Sequence, residues 1–575
     1  MIRKSGRRLA LLAAAGMVLA QGTAMAASAP RLTKPVNATK ADQNPDRTHS
    51  APYLVVDPTN QLNVIGSYID LRTRRCGVIR STDGGQTWKQ LDASPAAPAY
   101  PSCLSTSRNI FMAPAAFGRD GTLYVASPGW DIQDRAQSGG NSSIQLARST
   151  DLGNSWQTTL VRDNRGKQND QLESARPVGG VVVDTKTGND DVVYVTYSFT
   201  TPGVTAPNAN PGRVAVAVST NGGRTFGAPV VVSDSTWTDQ ALRDKAIKAT
   251  APTTVPAPGA TTTTTTIPPA GSRASQPNQA ANFGSGAPSI TTDNKGNVYV
   301  YWQSSTANIT PSPMTGLFVA KSTDHGKTWT STQIAPFDRA SGTLGRLAWT
   351  NKGGADGTLH LVLQVAENPD TNGSGAIYYT QSTDGGKTWS ARKRISDGDP
   401  TVSSLIPNIS VAPNGRIDVD WWDTRDDPGV RGNDVYYSYS TDNGKTWSKN
   451  TRITDQSDSR LYGVWGANFD MTSPPGIAST NSYAIFSWDD TRNTDTSFKD
   501  AAATGGGVSD IFTANAQFAA VGAGTSKVAK AVLAGVAGLV AVGLVLLIVA
   551  LASRRRAGPS RPARRVDAKT AAGVR

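Results

Sequence analysis

The residues best placed for chemistry in this chain are carboxylates, guanidinium groups and indoles gathered in short phrases. YIDLR (Tyr68–Arg72), PGWD (Pro128–Asp131), YWQ (Tyr301–Gln303), VAE (Val365–Glu367), WWDTR (Trp421–Arg425) and SWDDTR (Ser487–Arg492) each close an apolar run. Arg72, Arg425 and Arg492 suit the bidentate capture of a carboxylate. Trp130, Trp302, Trp422 and Trp488 would stack on sugar rings or on a partner's side chains, with Asp131, Asp423 and Asp489 beside them. A structural reading stands next to this one. The pairs Asp70/Arg72, Asp423/Arg425 and Asp489/Arg492 repeat, whereas an active site is usually asymmetric, and the indoles also suit packing between sheets.

The elements that position these phrases are read from a second repeat. STDGGQTW (Ser81–Trp88), STDLGNSW (Ser149–Trp156), STNGGRTF (Ser219–Phe226), STDHGKTW (Ser322–Trp329), STDGGKTW (Ser382–Trp389) and STDNGKTW (Ser440–Trp447) are six copies of one octapeptide. Such recurrence means a repeated supersecondary unit. In the sixth repeat the strands are expected at Asn408–Ala412, Ile417–Asp423, Asp434–Thr441 and Ser448–Ile453, from alternating β-branched and aromatic residues between turn signals. Four-stranded units in series fit the blades of a propeller around a central channel. The octapeptide falls on the turn between third and fourth strands. There Asp83, Asp151, Asn221, Asp324, Asp384 and Asp442 can accept backbone N–H groups, and the closing Trp or Phe can fold back between sheets. They read as staples. Because strands alternate direction, the phrases of the first paragraph lie on the opposite face, around the channel mouth.

The pattern S-x-D-x-G-x-x-W is the Asp box, or BNR repeat, and over most of residues 52–518 the chain resembles the sialidase-like Asp-box β-propellers. The fold class is therefore all-β. Residues 464–518 hold three more strands, Gly466–Thr472, Tyr483–Asp490 and Asp510–Phe518, without a box. The segment Arg31–Lys40 can supply their missing fourth strand and so remove two open sheet edges. Seven blades is the favoured count; six blades plus an accessory hairpin is the alternative.

The resemblance also implies roles. Sialidases clamp a carboxylate with three arginines and use a tyrosine nucleophile polarised by a glutamate, with an aspartate as acid/base, an exception to the usual carboxylate pair. Here Arg72, Arg425 and Arg492 would be the arginines, Tyr462 the nucleophile, Glu367 its partner and Asp70 the acid/base. The chain has only two glutamates, Glu173 and Glu367, which narrows the choice. It also departs from the family. No Arg-Ile-Pro precedes the first blade, where Arg47-Thr-His-Ser stands instead, and the arginines come from a repeated phrase. The boxes therefore speak for fold more than for activity. The leading functional reading is a module that binds an extracellular glycan or protein at the channel mouth; the alternative is a sialidase-type exo-glycosidase.

Both ends read as targeting segments. Arg3, Lys4, Arg7 and Arg8 precede the apolar run Leu9–Ala20 and the small-x-small site at Ala24–Ala26, which fits a signal peptide over residues 1–26. Residues 531–552 carry no charge, enough for one membrane span, and an arginine-rich tail at 553–575 follows. That asymmetry places the propeller, 27–520, outside and the tail in the cytoplasm. Of the formal +13, the signal peptide and tail account for all but +2, so nothing points to nucleic acid. The two cysteines, Cys76 and Cys103, suit one disulfide in an exported chain. His49, His325 and His360 share no ligand spacing, and no metal or cofactor is expected. Residues 236–283, with six consecutive threonines flanked by prolines, cannot build a core; they read as a spacer or a mucin-like tract between the third and fourth repeats.

Overall fold

The computed structural model describes residues 29–45, 47–70, 75–91, 113–129, 143–163, 174–200, 212–233, 285–305, 315–338, 343–367, 375–427, 432–459, 473–494 and 508–519. The expected signal peptide, the 236–283 insertion, the apolar 531–552 segment and the basic tail lie outside them. Among the described residues no helix is long and apolar enough to cross a membrane, and every regular element is a strand.

Residues Ala29–Phe518 form one compact unit built of seven antiparallel sheets. Blade one is His49–Val56, Val64–Asp70, Arg75–Ser81 and Lys89–Gln90; blade two is Ala115–Phe117, Leu123–Gly129, Ser143–Ser149 and Gln157–Arg162. Blade three is Ser174–Asp184, Val192–Thr200, Gly212–Ser219 and Val230–Val231; blade four is Ser285–Thr292, Val298–Ser305, Thr315–Ser322 and Thr330–Asp338. Blade five is Thr343–Gly354, Gly357–Ala366, Gly375–Ser382 and Lys393–Arg394; blade six is Ser404–Val411, Ile417–Asp423, Gly432–Ser440 and Thr451–Arg452. Blade seven takes Gly476–Ser479, Tyr483–Asp490 and Asp510–Gln517 from the end of the propeller and Arg31–Leu32 from its start. First strands of successive blades lie side by side, and Gly476–Ser479 lies against His49–Val56, so the ring is closed.

The closure is the expected one. Arg31 and Leu32 pair with Gln517 and Ala516, while Val36 and Asn37 pair with Thr513 and Phe512. Seven blades therefore replace the six-blade alternative. The innermost strand of blade seven is Gly476–Ser479, and the expected Gly466–Thr472 falls outside the described residues. In blade six the first strand begins at Ser404, earlier than alternation suggested. A bulge between Leu405 and Asn408 breaks the period there.

Second strands are buried on both faces because each blade is flanked by two others. Val193, Val195 and Tyr197 pack toward blade two, while Val192 and Tyr194 pack toward blade four. Trp421 enters the core shared with blade five, and its neighbour Trp422 enters the core shared with blade seven.

All six Asp boxes sit at one end of the ring, on the turns between third and fourth strands. In blade five, Ser382 Oγ donates to Asp384 Oδ1 at 2.8 Å and accepts the Gly386 N–H at 2.9 Å. Asp384 Oδ1 also accepts the N–H groups of Lys387 and Thr388, each at 3.0 Å. Burial opposes the charge, but the Thr388 hydroxyl and these N–H groups hold the Asp384 carboxyl down at about 2. Each box also leans on the preceding blade. A Cβ on Gly444, at φ 82°, would sit 2.1 Å from the Tyr379 hydroxyl of blade five. Trp88 of blade one donates to Thr513 Oγ1 of blade seven at 2.8 Å. The boxes are thus staples within a turn and spacers between blades.

Candidate functional site at the channel mouth

The opposite face is where second strands end. Each of the blades one, four, five and six carries a bulge in its first strand near this end. In three of them the bulged residue is non-glycine with a left-handed backbone: Ala51 at φ 56°, Leu344 at 51° and Ile406 at 49°. Bulges re-aim side chains, and strained residues of this kind cluster at functional sites. Ile406, being β-branched, is the costliest of the three.

The two described arginines of the recurring phrase do not point at a common cavity. Arg425 grips its own blade: Nε donates to Asp423 Oδ1 at 2.9 Å and Nη2 to Asp423 Oδ2 at 2.8 Å. Its Nη1 reaches Asp397 Oδ1, ahead of blade six, at 2.7 Å, and its guanidinium covers the Tyr436 ring at 4.1 Å. Trp421 Nε1 completes the set by donating to Asp423 Oδ2 at 2.9 Å. Arg492 repeats this one blade on, with Asp490 at 2.9 and 2.8 Å, Asp455 at 2.8 Å, the Phe512 ring at 4.3 Å and Trp488 Nε1 on Asp490 Oδ2 at 2.9 Å. Burial works against both guanidinium charges, yet the paired carboxylates push both pKa values well up. The partner of Arg492 is thus Asp490, two residues before it. Asp489 turns toward blade one, where Ser50 Oγ lies 3.5 Å away. Arg72 lies outside the described residues.

The tryptophans of the phrases are core. Trp422 is 1% exposed and Trp488 and Trp302 are 0% exposed. Trp422 Nε1 donates to the Ser473 carbonyl at 3.0 Å, and Trp302 stacks on Phe318 at 5.6 Å. They have no surface left for a sugar ring; the reason is the two-sided burial of every second strand. Trp130 and Asp131 fall outside the described residues.

Glu367 does meet a tyrosine, but not Tyr462, which lies outside the described residues. Tyr378 donates to Glu367 Oε1 at 2.8 Å, and Arg394 Nε lies 2.8 Å from the same oxygen. Both partners belong to the third and fourth strands of the same blade, so Glu367 is turned outward along the sheet and away from the channel. The set recurs in blade six, where Tyr436 donates to Asp426 Oδ2 at 2.7 Å and Arg452 Nε lies 3.5 Å from it. The register matches, Tyr378 opposite Arg394 and Tyr436 opposite Arg452. Burial and the neighbouring carboxylate raise the Tyr378 pKa, the wrong direction for a nucleophile.

Asp70 is buried at the end of its strand, directly opposite His49. Ligand atoms of Asp42, His49 and Asp70 all lie within 4.8 Å of one another. Sequence spacing hid this cluster, because Asp42 precedes the blade that holds the other two. It is the one group of three among the described residues able to hold a cation. His49 also lies 3.3 Å from Asp42 and 4.0 Å from Asp510, whose carboxylate is taken by Arg47 Nε at 2.7 Å. His360, by contrast, is sealed between Thr350 Oγ1 at 3.0 Å and Tyr379 Oη at 2.7 Å, and burial pushes it down to about 3. Cys76 is disulfide-bonded; Cys103, the other cysteine of the chain, lies outside the described residues.

One residue at this end belongs to none of the sequence patterns. Arg346 follows the bulge in the first strand of blade five. Among the described residues its one hydrogen bond is from Nη1 to the adjacent Gly345 carbonyl at 3.2 Å. A lone arginine in the apolar stretch Leu344–Trp349 was the available signal.

Ring, boxes and clamps together define a seven-bladed Asp-box β-propeller. A BNR repeat-like domain matches residues 296–419, and the BNR/Asp-box repeat matches 79–90 and 438–449. These matches accord with the sialidase-like propeller superfamily. No curated protein sequence matches the chain. Among solved structures, a protein of unknown function from Dyadobacter fermentans is similar at 13% identity and a TM-score of 0.42, covering 86% of this chain and 100% of that one. The Penicillium chrysogenum α-L-arabinanase gives 14%, 0.37, 68% and 94% in the same order, and a Hadza microbial sialidase 15%, 0.39, 79% and 74%. At such identity the likeness is one of fold alone.

Proposed function

We propose that this protein is a non-catalytic recognition propeller, held at the cell surface by its 531–552 segment, which binds an extracellular glycan or protein through the channel-mouth face. The observation that carries this reading is the double clamp: Arg425 and Arg492, two of the three arginines a sialidase-type site would need, are consumed by Asp423 and Asp490 of their own blades. Freeing either would strand a buried carboxylate, at a cost of several kcal/mol. The tyrosine–glutamate pair argues the same way, because it recurs as Tyr436–Asp426. Clamped blades make a stiff platform, and every second-to-third strand connection leaves from and returns to this face. Rigid scaffolds that present variable connections are where binding residues concentrate.

The experiment is a paired assay on the purified propeller. Fluorogenic sialosides and arabinofuranosides should show no turnover, while a glycan array or surface-protein pull-down should return a ligand whose binding is blocked by changes on the mouth face and not on the Asp-box face. Turnover of a glycoside that disappears in Tyr462→Phe would establish the hydrolase reading instead.

A further inference from the structure

Arg346 differs from every other mouth-end arginine described above. It belongs to the first strand of blade five, beside the channel, and it has no place in a repeated phrase. Among the described residues no carboxylate pairs with it, and its one hydrogen bond goes to the carbonyl next door. Its nearest electrostatic neighbours are two phenols, Tyr53 and Tyr301. Tyr53 lies on the first strand of blade one, which is not a neighbour of blade five in the ring. The two groups nevertheless interact across the ring. Tyr301, fully buried, packs its hydroxyl against Gly345, and that hydroxyl has no hydrogen-bond partner.

The chemistry around Arg346 is one-sided. Burial raises the pKa of both phenols, so they remain neutral donors. Burial likewise pulls the Arg346 pKa down. Arg346 is half-buried and keeps some contact with water. A guanidinium with four unused N–H groups, next to a phenol with an unused O–H, lacks one thing, an acceptor bearing negative charge. First strands of successive blades lie side by side around the channel.

We propose that Arg346 seats a small monovalent anion, of chloride to acetate size, in the central channel of the propeller. The seat is independent of whatever the mouth face recognises. It completes the electrostatics of a ring whose clamp arginines, Arg425 and Arg492, already have carboxylates.

The test uses the Ala29–Ala519 propeller, which carries its own closed ring and core. Thermal unfolding is followed at constant ionic strength while gluconate is exchanged for chloride or acetate. A saturable rise in Tm with chloride or acetate is expected, because an anion that binds only the folded state stabilises it by mass action. The rise should vanish in Arg346→Gln and persist in Arg492→Lys. Chloride-35 line broadening, displaced by acetate, provides a second reading on wild type that does not depend on how the variant folds. Absence of both signals overturns the proposal, as does a Tm rise that survives Arg346→Gln. Failure of the glycan or protein binding assay leaves these outcomes untouched, so the two readings fail separately.

Discussion

Arg425 and Arg492 on the one hand and Arg346 on the other stand at the same end of the propeller and have opposite surroundings. The first two each hold a carboxylate bidentately, a second carboxylate and an aromatic face. Arg346 holds a single carbonyl. What separates them is repetition. A contact that recurs at the same register in successive blades solves a problem every blade has, which is to bond its neighbour. A charge that appears once, without a partner, solves no problem of blade packing. In a repeat protein, then, the informative residue is the one that breaks the repeat, and the eye is drawn to the ones that obey it.

The comparison breaks most visibly at the clamp. Arg492→Ala leaves the buried Asp490 without its counter-charge, and should cost about 3–5 kcal/mol in urea unfolding. Arg492→Lys should recover only part, since a lysine cannot reproduce the fork. A loss near zero for Arg492→Ala would mean that the arginine is free to serve a ligand after all. On the other face, Ser382→Ala strips the buried Gly386 N–H of its acceptor and should cost about 1–3 kcal/mol in the same measurement.

A third effect is stabilising and depends on pH. Asp420 is fully buried between blades six and seven, neither of its oxygens has a hydrogen-bond partner, and desolvation raises its pKa well above 3.8. With the folded pKa above the unfolded one, its contribution is fully present below the unfolded value and is lost as pH rises through the folded value. Asp420→Asn should therefore raise Tm at pH 7, with the gain shrinking as pH falls toward the ordinary aspartate range. A gain that stays constant with pH would show that Asp420 does not titrate in the fold.

The smallest effect sharpens the box itself. Asp384 has its pKa depressed, so it contributes stability above the unfolded value of 3.8 and loses it as pH falls toward about 2. Blade three already carries an amide at this place: Asn221 Oδ1 accepts the Thr225 N–H at 3.0 Å, and its Nδ2 donates to Thr225 Oγ1 at 2.8 Å. Asp384→Asn should accordingly change Tm little at pH 7 and flatten the acid limb of the stability curve below pH 4 or so. An unchanged acid limb would detach the boxes from acid sensitivity.

Much of the architecture was legible in the residues. The octapeptide located six turns on one face, and the polar-apolar rhythm placed Ile417–Asp423 and Tyr483–Asp490 at the bounds the structure shows. Ring closure by Arg31–Lys40 followed from counting strands. The site was much less legible. WWDTR and SWDDTR drew attention because they combine an indole, an acid and a guanidinium, and all of these turned inward or onto one another. Glu367 stands out by its rarity, and its tyrosine partner sits on the next strand of the same sheet, which no linear spacing reveals. Asp489 and Asp490 are adjacent in sequence and point to different blades, so which of them holds Arg492 was decided by strand alternation.

By itself the sequence determined the repeat, the fold class and which turns are pinned, because those depend on contacts within eight residues or so of chain and on a period that can be counted. Only the tertiary structure decided which charges are spent and which are not. That depends on pairings across blades, such as Asp397 with Arg425 and Asp455 with Arg492, and on the solitude of Arg346 beside a channel that exists only once the ring has closed.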